Sequence, residues 1–201
     1  MQKNILVTGG AGYIGSIVSN DFIKKGFHVT CVDKLDFGIE SIKNLLENKN
    51  FDLQKVDINN YEHVNDILSK RDYYAIIHLA AIVGDPACKL YSDLAIKTNW
   101  ESSKHLFDQS VINKIPRFLF ASTCSNYGKM DLENNFVDEN SLIEPLSLYA
   151  ELKVKFEKYI LDADHSNEDI SSTALRFSTV YGISPRMRFD LTVNEFSKEL
   201  A

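Results

Sequence analysis

Short apolar runs alternate with longer amphipathic stretches along most of this chain. Residues 4–8 (NILVT) form one apolar run that ends in glycines, and residues 28–33 (HVTCVD) form a second, rich in β-branched side chains. Both are predicted as buried strands. Between them Ile14, Val18, Phe22 and Ile23 recur at helical spacing and Gly26 supplies a stop, which predicts a helix over 13–25. The alternation continues as strand 51–56, helix about 60–70, strand 74–79, a long helix about 91–112, strand 117–121, helix about 146–164 and strand 171–177. In the helix about 146–164, Leu148, Leu152, Phe156, Tyr159 and Ile160 share a face. Parallel neighbours need crossover connections, and those crossovers are right-handed. The pattern therefore predicts an α/β fold: a Rossmann-type, doubly wound parallel sheet of order 3-2-1-4-5-6 with helices on both faces. After Tyr181 the pattern weakens, with ISPRMRFD (183–190) reading as a loop and DLTVNEFSKEL (190–200) as the start of a helix. Residues 1–181 are thus expected to form one domain and 182–201 the beginning of a further region.

Composition narrows the function classes. The 201 residues are 44% hydrophobic with four prolines and nine glycines, which suits one compact domain. A formal charge of −6 with scattered basic residues argues against a nucleic-acid partner, whose backbone calls for a basic stripe. Three cysteines, Cys31, Cys88 and Cys124, show no C-x-x-C spacing, so neither a disulfide framework nor a zinc site is signalled. The opening MQKNILVTGG has too short an apolar stretch for a signal peptide or a membrane span, and a cytoplasmic protein without membrane attachment is expected.

Residues 8–15 read TGGAGYIG, with Gly9, Gly12 and Gly15 three apart between the first strand and the first helix. Such a turn cradles a pyrophosphate. Gly9 permits the tight bend, Gly12 lets a dinucleotide approach the backbone, Gly15 lets helix and strand pack closely, and helix N–H groups face the phosphates. The spacing departs from G-x-G-x-x-G, although Gly10 is also present. Asp33 ends the second strand eighteen residues after Gly15, where a carboxylate accepts hydrogen bonds from ribose hydroxyls and repels a 2′-phosphate. NAD is accordingly expected rather than NADP, while Lys34 is a cation that would tolerate the extra phosphate. Asp57 and Ile58, after the third strand, fall where the adenine edge should lie; a surface-turn aspartate is the other reading.

Tyr149 and Lys153, in the run YAELK, stand at i and i+4 on a predicted helix and project from one face. An ammonium beside a phenol favours the phenolate, and an oxidised nicotinamide would add to that effect. Tyr149 would then exchange a proton with a substrate hydroxyl while the nicotinamide exchanges a hydride. Y-x-x-x-K alone is common on amphipathic helices; the nucleotide-binding turn upstream gives it chemical meaning. Strand five ends in FASTCSNYG (120–128), placing Ser122, Thr123 and Ser125 at the carboxyl edge of the sheet, where open α/β folds bind ligands. One of these hydroxyls holds a substrate oxygen, or all of them simply satisfy a strand end. His78, Asp85 and Cys88 are close in sequence but lack a fourth ligand, so no metal is expected and His78 is read as packed inside the sheet.

Taken together, these motifs resemble the extended short-chain dehydrogenase/reductases, and among them the NAD-dependent epimerase/dehydratase group that acts on nucleotide sugars. The marks are TGGAGYIG, VD at 32–33, VDI at 56–58, HLAA at 78–81, Asn99, STCSNYG at 122–128, YAELK at 149–153 and LRFSTVYG at 175–182. The resemblance implies that Tyr149 is the general acid/base, that Lys153 binds the nicotinamide ribose and lowers the tyrosine pKa, and that Thr123 contacts the substrate hydroxyl. It implies further cofactor contacts from Tyr13 and Ile14 in the turn, from Leu79, Ala80 and Ala81 after the fourth strand, from Asn99, and from Phe177 and Val180. The sugar nucleotide would meet Val83, Thr123, Cys124, Ser125, Thr179 and Asn194. A homodimer through a four-helix interface, built from the helices about 91–112 and 146–164, is implied as well.

Two departures refine the expectation. Where the 4,6-dehydratases of the group carry an Asp-Glu pair after the threonine, this chain has Cys124 and Ser125, so the acid/base for eliminating water is missing. Cys124 lies three residues before Tyr127, one more than in relatives that use a loop cysteine, and reads first as a small packing side chain and second as a chemical group. The segment IVGDPAC (82–88) resembles a surface-polysaccharide subgroup. The second departure is length: members of the group continue into a lobe that clasps the nucleotide of the substrate, and here that lobe is largely missing. Arg186 and Arg188 are left as phosphate contacts or as solvated side chains. The reading is thus a sugar-nucleotide epimerase acting by transient oxidation at C4, with a net 4-dehydrogenase/reductase or an NAD-binding module of little turnover as alternatives.

Overall fold

The computed structural model describes residues 2–129, 136–166 and 170–200. Six strands, β1 (Asn4–Thr8), β2 (His28–Asp33), β3 (Phe51–Lys55), β4 (Tyr73–His78), β5 (Arg117–Thr123) and β6 (Ser171–Phe177), form one sheet. Every pairing is parallel and the order is β3-β2-β1-β4-β5-β6, as the pattern predicts. All six carboxyl ends therefore lie along one edge, and the order reverses between β1 and β4, where such sheets open a crevice.

Alternation along each strand sorts the core into two layers. Leu6 and Ile76 point into a cluster with Val64, Ile67, Leu68, Leu106, Phe107, Phe118, Phe120 and Phe156. Ile5, Val7 and Ile77 point the other way, against Ile23, Val29, Cys31 and Ile42. The first layer is closed by aromatic edge-to-face contacts, Phe107 to Phe118 at 5.1 Å and Phe120 to Phe156 at 4.7 Å between ring centroids. Helices α1 (Tyr13–Lys24) and α2 (Tyr61–Ser69) form where their apolar periodicity places them. Asn60 caps α2 by accepting from the His63 N–H at 3.2 Å. Cover is unequal on the two faces: at the β6 end Leu175 is left 39% exposed.

The predicted helix about 91–112 is instead four pieces: α3 (Asp85–Leu90), α4 (Ser92–Ile96), a π-helical turn Lys97–Ser102 and α5 (Ser103–Ile112). It starts earlier because Gly84, at φ 89°, releases the chain and Pro86 is accepted in a first turn, where a missing N–H does no harm. Tyr91, at φ −120° and ψ 52°, breaks the run. The widened turn carries Asn99, whose amide brackets Ile82 by accepting from its N–H at 2.8 Å and donating to its carbonyl at 2.9 Å. Strand β5 runs two residues beyond the predicted end because Ser122 and Thr123 continue the ladder with Arg176 and Phe177. Helices α6 (Leu148–Ser166) and α7 (Thr192–Glu199) complete the fold. Among the described residues no helix is long and apolar enough to cross a membrane.

Candidate active site

The glycine turn after β1 is shaped by close approaches. Gly9 has φ +69° and a Cβ there would lie 2.8 Å from the Ala80 nitrogen, so the turn also needs room against the end of β4. A Cβ on Gly15 would lie 2.1 Å from the Gly9 carbonyl oxygen, whereas one on Gly12 would meet only that oxygen, at 3.1 Å. Gly12 is therefore the more open of the two positions. It begins α1 with no side-chain cap and no acidic residue in the first turn, which leaves helix N–H groups and their positive field free for an anion. These features fit a dinucleotide pyrophosphate. Tyr13 is buried and its O–H donates to the Gly182 carbonyl at 2.7 Å, and Ile14 follows half-buried on α1.

At the end of β2, where the sequence places the adenosine ribose, Asp33 accepts from the Ala11 N–H at 3.0 Å and the Leu35 N–H at 2.8 Å. Lys34 is held between two carboxylates, Asp36 at 3.3 Å and Asp57 at 3.6 Å, which raise its pKa. Asp57 also accepts from the Asn59 N–H at 2.9 Å, while the Ile58 side chain is buried in the core. Leu79, Ala80 and Ala81 follow β4 and are half-buried. Leu79 and Ala80 are pinned to β1 by hydrogen bonds from their N–H groups to the Thr8 carbonyl, at 3.1 Å, and hydroxyl, at 3.3 Å. Asn99 is 2% exposed and spends its amide on Ile82.

Helix α6 brings Tyr149 and Lys153 to the same edge. Lys153 is 4% exposed; its ammonium donates to the Ala121 carbonyl at 2.7 Å and lies 4.5 Å from the Phe120 ring centroid and 5.7 Å from that of Tyr149. Burial pulls this lysine down to about 7 and pushes the Tyr149 phenol up to about 12. Burial thus raises the phenol, where the resemblance implies a depression by Lys153. Nearby Cys88, Asp85 and Cys124 push the phenol further up, and Arg188 pulls it down. Thr123 ends β5, buried at 8% exposure, and its hydroxyl accepts from the Ser125 N–H at 3.1 Å to cap a short helical turn, Cys124–Tyr127.

The other expected substrate positions divide into two groups. Val83, Cys124, Ser125 and Thr179 are exposed near the ends of β4, β5 and β6, with Phe177 and Val180 half-buried beside them. Asn194 is 5% exposed and its amide is engaged by the chain itself: it accepts from the Gly182 N–H at 3.0 Å and donates to the Tyr13 hydroxyl at 3.1 Å and the Arg188 carbonyl at 3.0 Å. Ser184, which no motif marks, donates to the Tyr13 carbonyl at 2.7 Å, so the segment after β6 is latched onto the glycine turn. Sequence reasoning also missed Glu157 and Arg176. The signal was present, since Glu157 continues the Tyr149 and Lys153 spacing by another four residues. His78 lies inside the sheet, with its ring nitrogens 2.7 Å from the Thr8 hydroxyl and 2.8 Å from the Ser103 hydroxyl, and burial lowers it to about 3. Among the described residues no group of three His, Cys, Asp or Glu could hold a metal ion.

A sequence model described as the NAD dependent epimerase/dehydratase family matches residues 5–200. Protein CapI of Staphylococcus aureus is 31% identical over 98% of this chain and 59% of its own length. UDP-glucuronate 4-epimerase 6 of Arabidopsis thaliana is 31% identical over 98% of this chain and 43% of its own. Among solved structures, the UDP-glucuronic acid 4-epimerase of Bacillus cereus, in complex with UDP-glucuronic acid and NAD, superposes with a TM-score of 0.84 at 30% identity, covering 98% of this chain and 62% of that one. The Thermus thermophilus UDP-glucose 4-epimerase in complex with NAD gives 0.80 at 28% identity, covering 89% and 56%. The chain spans about half the length of the curated relatives it matches. With its parallel sheet order, its open glycine turn and its Tyr149–Lys153 pair, the chain belongs to the NAD-dependent epimerase/dehydratase family.

Proposed function

We propose that this chain binds NAD and epimerises a UDP-sugar through transient oxidation at C4. NAD, when bound, supplies the acceptor and donor of hydride. Gly9, Gly12 and Gly15 with the start of α1 hold its pyrophosphate, and Asp33 turns from the Ala11 N–H to the adenosine ribose hydroxyls. Lys153 donates to the nicotinamide ribose and, once protonated there, draws the Tyr149 proton toward release. Tyr149 takes the proton of the C4 hydroxyl as the hydride leaves and returns it after the sugar has turned. Thr123 donates to the same oxygen and keeps it in line. The relatives named for UDP-sugars support the substrate class, and Cys124 and Ser125 in place of an Asp-Glu pair speak against dehydration.

The observation that carries this reading is a buried lysine on the face of α6 that holds Tyr149, at the carboxyl edge that also bears the open glycine turn. Mass spectrometry of co-purifying nucleotides is expected to find NAD. Tyr149→Phe should retain that NAD and lose hydride exchange by about 10²–10⁴-fold; full activity in the variant would remove the proposed acid/base. NADH accumulating with substrate would turn the reading to a net 4-dehydrogenase. NAD retention without exchange on any UDP-, GDP-, CDP- or dTDP-hexose would leave a binding module.

We further propose a cytoplasmic homodimer that serves polysaccharide synthesis and pairs through α4, α5 and α6. Leu94 at 38% and Ile112 at 67% exposure offer apolar surface on two of these helices. Sedimentation velocity should show a dimer that Leu94→Glu dissociates; a monomer in the parent protein would remove this part.

A further inference from the structure

Glu157 is a carboxylate at 3% exposure, on the stripe of α6 that begins with Tyr149 and continues through Lys153. Both its oxygens are used. One accepts from Arg176 of β6, through Nε at 2.9 Å and through the terminal nitrogen; the other accepts from the Ser122 hydroxyl at 2.8 Å and the Asn126 amide at 3.2 Å. Arg176 then passes beyond the pair, donating to the Tyr127 hydroxyl at 2.9 Å and the Glu139 carbonyl at 3.3 Å. Asn126, 0% exposed, donates also to the Ser122 hydroxyl at 3.0 Å, and among the described residues its own Oδ1 meets no hydrogen-bond donor.

These contacts converge on one short segment. Ser122, Asn126 and Tyr127 flank Thr123, Cys124 and Ser125; the backbone of this segment is also held by the end of the β5–β6 ladder, by the Thr123 cap, by the Gly128 N–H donating to the Ser125 carbonyl at 3.2 Å and by the Glu144 N–H donating to the Asn126 carbonyl at 3.0 Å. A buried ion pair adds little net stability, because desolvating two charges offsets their attraction, and apolar replacements of similar volume are often as stable. An unsatisfied buried oxygen on Asn126 is a further penalty that packing alone does not require. What the arrangement does supply is direction: a carboxylate with four donors and a planar guanidinium with forked donors fix relative orientation as apolar contacts do not.

We infer that the Glu157–Arg176 pair is a positioning element that fixes the Ser122–Tyr127 turn against α6, so that Thr123 and Tyr149 are held as one unit. What that unit does chemically rests on the function proposed above. Neither residue touches the reacting atoms in that scheme; both act through Ser122, Asn126 and Tyr127.

The test compares the full chain with Glu157→Gln, Arg176→Lys and the apolar double variant Glu157→Leu/Arg176→Met, by hydrogen exchange and by steady-state kinetics. Both single variants should lose amide protection at 122–128 and at Glu144, with β1 to β4 unchanged, and kcat should fall about 10–100-fold while KM and bound NAD stay within about twofold. The double variant should recover melting temperature but not kcat. If Glu157→Gln does not fold, Arg176→Lys carries the same comparison, since a lysine cannot serve Glu157 and Tyr127 at once. Unchanged protection of the turn overturns the inference, and so does a double variant that recovers kcat along with its melting temperature. A parent chain that exchanges no hydride sinks the proposed reaction only; the protection pattern then decides the positioning role by itself.

Discussion

A Cβ on Gly15 would drive into the Gly9 carbonyl oxygen at 2.1 Å and the Gly10 Cα at 2.7 Å, both backbone, whereas on Gly12 it would meet a single atom at 3.1 Å and otherwise open space. The two positions should therefore fail differently. Gly15→Ala is expected to cost about 1–3 kcal/mol or more of stability, as overpacking does, and to lose NAD with the turn. Gly12→Ala should melt within a few degrees of the parent yet retain no NAD, because the methyl would stand where the pyrophosphate is proposed to approach. Thermal melts with mass spectrometry of bound nucleotide read both outcomes, and a Gly12→Ala chain full of NAD would refute the cradle. Lys34 makes a second case at this scale. Its ammonium is shared by Asp36 and Asp57, so Lys34→Ala should leave the ratio of NAD to NADP affinity unchanged within about twofold; a large rise in NAD preference would show that the lysine does reach the cofactor. The spacing of glycines, the presence of Asp33 and the nearby Asp36 were legible in the chain, but the second partner of Lys34 was not, since Asp57 arrives from the turn after β3.

At the scale of elements, the segment after β6 is tied to the start of α1 through Asn194, Ser184, Gly182 and Tyr13. Asn194→Leu removes three hydrogen bonds and takes a partner from the Gly182 N–H and the Arg188 carbonyl, while the Tyr13 hydroxyl keeps its bond to the Gly182 carbonyl; a polar group left unmet costs about 1–3 kcal/mol where it is shut off from water. Amide exchange in 182–200 should rise sharply while β1 to β6 keep their protection; an unchanged exchange pattern would show that the latch is not what holds α7. Sequence pattern read α1, α2 and α6 closely because one apolar face per helix dictates each. It misread 85–112, where Gly84, Tyr91 and the bracketing of Ile82 by Asn99 impose breaks that a smooth periodicity hides. Thr192–Glu199 forms the short helix that the final residues suggested.

The whole molecule carries charges whose burial links folding to pH. His78 is held neutral, its pKa lowered to about 3 by burial, so the unfolded chain binds the extra proton between that value and the ordinary one near 6.5. The stability it contributes is complete above pH 6.5 and is lost as pH falls toward 3. Lys153, lowered to about 7, also binds its proton more weakly when folded, so stability rises as pH climbs from 7 toward 10.5. Cys31 and Tyr149 act in the opposite direction: burial raises both to about 12, and their contribution is lost as pH rises above 9 and 10 respectively. Denaturant titrations of the NAD-free protein should therefore show stability increasing from pH 7 to 9, and Lys153→Met should abolish that rise while keeping the acid decline. A parent chain with a flat profile over pH 7 to 9 would mean that Lys153 is not desolvated as described.

By itself the sequence determined the strand order, the dinucleotide turn and the one-sided placement of Tyr149 and Lys153, because each follows from local periodicity or from spacing along a single element. Only the tertiary structure decided that burial raises the Tyr149 phenol and lowers the Lys153 ammonium, that Asn194 and Ser184 clamp the glycine turn, and that Glu157 and Arg176 bind the Thr123 turn to α6. These depend on which groups from distant segments exclude water and meet at hydrogen-bond distance, and no pattern within one segment encodes that.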